Sequence, residues 1–154
     1  DVVTLNNGMI LESQGRPDAI SSIAVDPLRG TGETGVQQIL LVDDEPLVRH
    51  TLEAGLRPNG FEILHAGDGD EALDVLASEE VDLVVTDLAM PRREGIETII
   101  EIRRRFPGVK VIALSGVFGG HYLAMARQLG ADAALSKPVP TDILRRTINE
   151  VLGA

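Results

Sequence analysis

Polar side chains follow four short apolar runs of the sequence, close to the point where each run ends. Asp43 and Asp44 follow the first of these runs, and Asp87 follows another. Ser115 and Lys137 follow two further runs later in the chain. Carboxylate and hydroxyl oxygens bind hard metal ions and an ammonium group pairs with phosphate, so these residue types together indicate metal-assisted phosphate chemistry.

The three carboxylates would repel one another if they lay together, and a bound cation would relieve that repulsion. Mg²⁺ takes oxygen ligands and usually binds one or two carboxylates together with phosphate oxygens. A carboxylate can also attack phosphorus itself and form an aspartyl-phosphate. Lys137 can then pair with one phosphoryl oxygen while Ser115 donates a hydrogen bond to another. The residues therefore predict a magnesium-dependent phosphoryl acceptor, provided that the fold brings them together.

A repeated pattern of apolar run and amphipathic stretch indicates such a fold. From Gln37 onward the pattern occurs five times. Alternating strands and helices predict a parallel sheet with right-handed crossovers. We therefore predict an α/β domain with a doubly wound, five-stranded parallel sheet in the flavodoxin-like order 2-1-3-4-5, helices on both faces, and a site at the carboxyl ends of the strands. The predicted strands are ILLV (39–42), FEIL (61–64), VDLVV (81–85), VKVIAL (109–114) and AAL (133–135).

Four motifs at these elements resemble the receiver domain family of two-component response regulators. The resemblance covers about residues 37–152, and the motifs occur in the family's order. Together, four motifs at the corresponding elements are a specific signal. The motifs are ILLVDDEPLVR (39–49), VVTDLAMPRREG (84–95), ALSG (113–116) and LSKPV (135–139).

The resemblance implies a role for each acidic residue of the predicted site. Asp87 would accept the phosphoryl group and would also bind the metal ion. Asp44 would bind Mg²⁺ directly, Asp43 would lie beside it and act partly through water, and the backbone carbonyl of Ala89 would be a further ligand. Mn²⁺ would be able to replace Mg²⁺.

The resemblance also implies how the phosphoryl group arrives and what it does. Ser115 would be the switch hydroxyl, Lys137 would pair with the phosphoryl group, and the Lys137–Pro138 bond would be cis. The donor would be a histidine kinase or a histidine phosphotransfer protein. The domain would catalyse its own phosphorylation and dephosphorylation and would not otherwise be an enzyme. The signal would leave through the face of helix 4, strand 5 and helix 5, to an output partner or within a homodimer.

One position departs from the family pattern. Many members carry Tyr or Phe in strand 5 where this sequence has Ala134, so the aromatic switch is missing from its usual place. Tyr122, the one tyrosine of the chain, lies at the start of predicted helix 4. That Tyr122 takes over this role is the less favoured interpretation.

The sequence leaves open how such a domain is used. It could stand alone, either binding a partner or passing the phosphoryl group on. It could equally be the C-terminal receiver of a hybrid histidine kinase, because RGTGETGVQQILLVDDEPLVR resembles a junction between kinase and receiver. A phosphatase of the haloacid dehalogenase class also uses an aspartyl nucleophile. Those enzymes need a second acid two residues after the nucleophile, and Ala89 at that position argues against this class.

Composition argues against several other classes of protein. The net charge of −10 opposes direct nucleic-acid binding, which needs a basic surface. The absence of cysteine excludes disulfides and thiolate metal sites. No apolar run approaches the roughly 18 residues of a membrane span, and no signal peptide is visible. We therefore expect a cytoplasmic protein without membrane contact.

The beginning of the chain differs from the rest. Residues 1–36 are predicted to be an extension or linker, and residues 37–154 the receiver domain. GTGETG (30–35) fits the spacing of a dinucleotide-binding motif, but such a motif follows a strand and opens a helix, whereas here a strand follows. His50, His65 and His121 show no metal-ligand spacing in the sequence and are interpreted as surface or edge residues.

Overall fold

Strands and helices alternate along the chain, as predicted. The computed structural model describes residues 35–88, 94–116 and 119–153, so the predicted extension lies almost entirely outside the described residues. No helix among them is both long enough and apolar enough to cross a membrane. The strands are β1 (Gln38–Val42), β2 (Glu62–Ala66), β3 (Leu83–Asp87), β4 (Lys110–Ser115) and β5 (Ala133–Ser136). The helices are α1 (Pro46–Leu56), which a short 3₁₀ turn (Arg57–Asn59) follows, α2 (Gly69–Ser78), α3 (Glu94–Arg105), α4 (Gly119–Gln128) and α5 (Thr141–Val151).

The five strands form one parallel sheet in the order β2-β1-β3-β4-β5, which confirms the predicted fold class. The register keeps the strand ends level. Val42 of β1 pairs with Ala66 on one side and with Thr86 on the other. Ser115 of β4 pairs with Ser136 of β5. Because all strands run in the same direction, their carboxyl ends lie along one edge of the sheet.

The third strand begins and ends two residues later than the apolar run 81–85 predicts. Asp82 accounts for the late start. Its carboxylate accepts a hydrogen bond from the Gln38 N–H at 2.8 Å, and its own N–H donates to the Gln38 carbonyl at 2.9 Å. Asp87 is the last residue of β3, where it pairs with Leu114 of β4.

Side chains of the central strands alternate between two hydrophobic layers. Ile39 and Leu41 of β1 face the layer that contains residues of α1 and α5. Leu40 and Val42 face the layer that contains residues of α2, α3 and α4. Burial on both faces explains why the central strands read as continuous apolar runs. The helix residues buried in these layers are Leu56, Leu144 and Ile148 in the first, and Ala72, Leu76, Ile99, Ile102 and Ala126 in the second.

Two leucines of α1 provide a matched test of this packing. Leu56 is fully buried, whereas Leu47 is 77% exposed. We expect Leu56→Ala to lower the free energy of unfolding by about 2–5 kcal/mol, because it removes buried methyl groups and leaves a cavity. Leu47→Ala should change it by less than about 0.5 kcal/mol. Urea unfolding of the two variants measures the difference, and equal effects would contradict the described core.

Candidate functional site

The carboxyl edge of the sheet brings together the side chains that the sequence singled out. Asp87 and Ser115 are the last residues of β3 and β4. Asp43 follows β1 directly, and Lys137 follows β5 directly. Since β1, β3, β4 and β5 are successive neighbours in the sheet, residues from distant parts of the sequence meet at one edge.

Three carboxylates form a cluster at this edge. Asp43, Asp44 and Asp87 each offer one oxygen, and these oxygens lie within 4.8 Å of one another. Asp43 and Asp87 are buried, with 3% and 5% of their surface exposed, whereas Asp44 is exposed. Buried carboxylates this close repel one another strongly, because little water screens them. Such a set of oxygens suits a hard divalent cation.

Lys137 supplies a single positive charge against two of these carboxylates. Its Nζ lies 3.3 Å from Asp43 Oδ2 and 3.3 Å from Asp87 Oδ2. Burial lowers the pKa of Lys137, but the Asp87 and Asp43 carboxylates outweigh burial and raise that pKa above its ordinary value. The ammonium therefore stays charged. Three carboxylates and one ammonium leave this group of four side chains with a net charge of −2.

The backbone around Asp43 is held by several hydrogen bonds. The Glu45 N–H donates to Asp43 Oδ1 at 2.9 Å, while Oδ2 faces Lys137. The Asp43 N–H donates to the Ala66 carbonyl at 3.1 Å, and the Arg49 guanidinium donates to the Asp43 carbonyl. Both carboxylate oxygens of Asp43 thus have partners within the protein.

A backbone hydrogen bond connects Ser115 and Lys137. The Lys137 N–H donates to the Ser115 carbonyl at 2.9 Å. Ser115 is almost fully buried at the end of β4, and the Lys137–Pro138 bond is cis, as the family resemblance implies. A Cβ on Gly116 would lie 3.2 Å from Lys137 Cβ, so the chain after β4 packs closely against the lysine stem.

Two predicted features lie outside the part of the chain that the structure describes. Ala89, whose carbonyl was predicted to bind the metal ion, belongs to the 89–93 gap, and the side chain of Tyr122 is not described. The loop after β4 is described only in part, and α4 already begins at Gly119. Ala134 is half-buried in β5 and packs against the layer of α2, α3 and α4.

Gly95 at the start of α3 is a positioning residue that the sequence did not single out. A Cβ at this position would lie 2.5 Å from the Asp87 carbonyl oxygen and 2.6 Å from Leu88 Cα. Real Cβ atoms essentially never come this close to backbone atoms. Only glycine therefore lets α3 begin against the end of β3. The available signal was the glycine eight residues after Asp87, at the end of the second motif.

Comparison with known proteins agrees with this fold. The family described as the response regulator receiver domain matches residues 39–149, which is most of the chain. The chain belongs to this family. The receiver domain is also 37% identical over 114 residues to the transcriptional regulatory protein GlrR of Escherichia coli K12. That alignment covers 74% of this chain and 26% of GlrR, so the chain spans about a quarter of the length of this curated relative.

Solved structures share the architecture of this receiver domain. A response regulator receiver domain protein from Clostridium thermocellum is similar with a TM-score of 0.71 and 31% identity, over 75% of this chain and 93% of that one. A CheY-like receiver domain protein from Methanospirillum hungatei has a TM-score of 0.71 and 29% identity, over 76% and 94% of the two chains. These likenesses support the order of strands.

The contact at Gly95 yields a testable prediction. We expect Gly95→Ala to lower the free energy of unfolding by about 1–3 kcal/mol, because the added methyl group overpacks the backbone of β3. It should also shift the Asp87 amide resonance. Gly108 is the control, since a Cβ there meets nothing within 4 Å, and Gly108→Ala should change stability by less than about 1 kcal/mol. If Gly95→Ala is as stable as Gly108→Ala, the proposed positioning role is wrong.

Proposed function

We propose that this receiver domain accepts a phosphoryl group on the Asp87 carboxylate from a phosphohistidine donor. The observation that carries the proposal is the position of Asp87, buried at the end of β3 with Lys137 Nζ 3.3 Å from its Oδ2. A carboxylate beside a fixed ammonium can keep its charge in a buried place. The same ammonium can then pair with the oxygens of an incoming phosphoryl group.

The transfer exchanges one bond to phosphorus for another. An Asp87 carboxylate oxygen forms the new P–O bond while the P–N bond to the donor imidazole breaks, and the imidazole nitrogen leaves with the electron pair. Lys137 pairs with a phosphoryl oxygen, and the Ser115 hydroxyl donates a hydrogen bond to another. Hydrolysis removes the phosphoryl group: water attacks phosphorus, the P–O bond to Asp87 breaks, and inorganic phosphate leaves. In this sense the domain catalyses its own phosphorylation and dephosphorylation.

The acidic cluster fits a divalent cation, and we assign its ligands residue by residue. Asp44 and Asp87 would bind Mg²⁺ directly, the backbone carbonyl of Ala89 would be a third protein ligand, and Asp43 would act through water. When bound, the ion neutralises charge on the carboxylates and on the phosphoryl oxygens. Mn²⁺ has a similar preference for oxygen ligands and should replace it. Asp44 suits direct binding because it is the exposed member of the cluster.

The partners follow from the same chemistry. A histidine kinase or a histidine phosphotransfer protein carries the required phosphohistidine. We propose that the phosphorylated state is read through the face of α4, β5 and α5, because Ser115 and Lys137 lead into those elements, with an output domain, a separate partner or a second copy as the reader. The name of the GlrR relative favours a transcriptional output. Use as a stand-alone shuttle or as a receiver of a hybrid histidine kinase is the alternative.

The phosphoacceptor assignment is tested by mapping the adduct. We expect acetyl phosphate and Mg²⁺ to label the chain once, on Asp87, as mass spectrometry of peptides should reveal. Asp87→Asn should lose the label, because an amide oxygen is a much weaker nucleophile than a carboxylate. Asp74→Asn, a matched change on the exposed face of α2, should keep it. A full-strength label in Asp87→Asn would overturn the assignment.

The metal requirement is tested separately. We expect EDTA to abolish labelling and added Mg²⁺ or Mn²⁺ to restore it, because the cluster otherwise repels the anionic donor. Asp44→Ala should lower the labelling rate by at least about tenfold at a fixed Mg²⁺ concentration, whereas Asp74→Ala should leave it unchanged. Rates can be followed by intact-protein mass spectrometry. Undiminished labelling in EDTA would contradict the role of the ion.

A further inference from the structure

Two histidines and a glutamate meet between α1 and edge strand β2, and the proposed phosphoryl transfer uses none of them. His50 and Glu53 are three residues apart on α1 and share a helix face, and His65 lies on edge strand β2. One ligand atom from each lies within 4.8 Å of the others. His50 is exposed and His65 lies on an edge strand, as interpreted from the sequence, and the fold brings together two histidines that the sequence does not place at ligand spacing.

The geometry within this cluster suits one shared ion. His65 Nε2 lies 2.7 Å from Glu53 Oε1, and the rings of His50 and His65 have centroids 5.3 Å apart. Two imidazoles on one tetrahedral zinc ion have ring centroids roughly 5 Å apart, since each Zn–N bond is about 2.0–2.1 Å. Adjacent ligand atoms around such an ion are roughly 3.3 Å apart. Glu53 and His65 therefore need to separate by only about 0.6 Å to admit it.

Arg57 orients the Glu53 carboxylate toward His65. Arg57 pairs with the second oxygen of Glu53, Oε2, and leaves Oε1 directed at His65. The hydrogen bond with His65, and then the one from Arg57, lower the pKa of Glu53 below its ordinary value. Groups that orient a ligand in this way commonly support metal sites.

We propose that His50, Glu53 and His65 form a second metal site, which takes a borderline transition ion such as Zn²⁺ and completes its tetrahedron with water. Two imidazoles and one carboxylate match the preference of Zn²⁺ and not that of Mg²⁺, which takes oxygen ligands. The two metal sites of the chain would then select different ions. The three protein ligands leave one position for solvent.

Binding at this site changes a contact of Arg49. The Arg49 Nε–H donates to His65 Nδ1 at 3.2 Å, so the ring proton of neutral His65 is on Nε2 and points at Glu53. When Nε2 binds the ion, the neutral ring carries its proton on Nδ1, which can no longer accept from Arg49. Arg49 also donates to the Asp43 carbonyl. The proposed site is therefore linked through one guanidinium to the acidic cluster.

The test uses Zn²⁺ itself, titrated into the whole chain in excess Mg²⁺ so that the acidic cluster is already filled. Isothermal titration calorimetry should give one zinc ion per chain. His50→Gln and His65→Gln should each weaken binding by at least about tenfold, and His121→Gln, the matched control on α4, should not. His50 is exposed, so its variant should fold even if the His65 variant does not. In ¹⁵N spectra, Zn²⁺ should move the His65 ring proton from Nε2 to Nδ1.

Two results would overturn the proposal. In the first, His50→Gln and His121→Gln bind Zn²⁺ as tightly as the parent chain. In the second, zinc binding survives in His50→Gln but is lost in Asp44→Ala, which would assign the ion to the acidic cluster.

Discussion

Repulsion between three carboxylates is the main physical constraint on the site. The fold holds them together at the carboxyl edge of the sheet. Asp43 and Asp87 are buried, and Asp44 lies within reach of both. Lys137 contacts two of the three and cannot balance them all. Removing charges from water is costly unless each is paired, so the metal-free arrangement holds unfavourable energy. A bound cation, as proposed above, would relieve this imbalance. A phosphoryl group on Asp87 would add negative charge to it, so phosphorylation should depend on the ion.

Close backbone packing maintains this arrangement against the repulsion. Asp87 is fixed as the last residue of β3, and α3 begins so near to it that only glycine fits at position 95. On the other side, the Lys137 N–H binds the Ser115 carbonyl at 2.9 Å. The backbone that carries Asp87 and Lys137 is therefore held in place at the strand ends. The burial of the two hydrophobic layers outweighs the unfavourable free energy of this repulsion.

The sequence predicted the elements that local patterns indicate. It did not predict contacts between residues that only the fold brings together. Strand order and site residues followed from apolar runs with polar ends and from four motifs. The start of β3 was misplaced because Val81 continues the apolar run, although Asp82 bonds with Gln38 outside the strand. Gly95 matters through a contact with β3, and its place at the end of a motif marks the residue without indicating that contact. His50 and His65 are 15 residues apart in the chain and meet only because α1 packs beside β2.

The most direct test of this account compares the free energy of unfolding of the parent chain and Asp87→Asn, by urea in EDTA and again in excess Mg²⁺. Asp87 is repelled by two carboxylates and attracted by one ammonium, so its neutralisation should stabilise the metal-free protein. Mg²⁺ should then stabilise the parent more than the variant, because it binds the intact cluster more tightly. A variant that is less stable than the parent in EDTA, and that gains as much from Mg²⁺, would contradict the account.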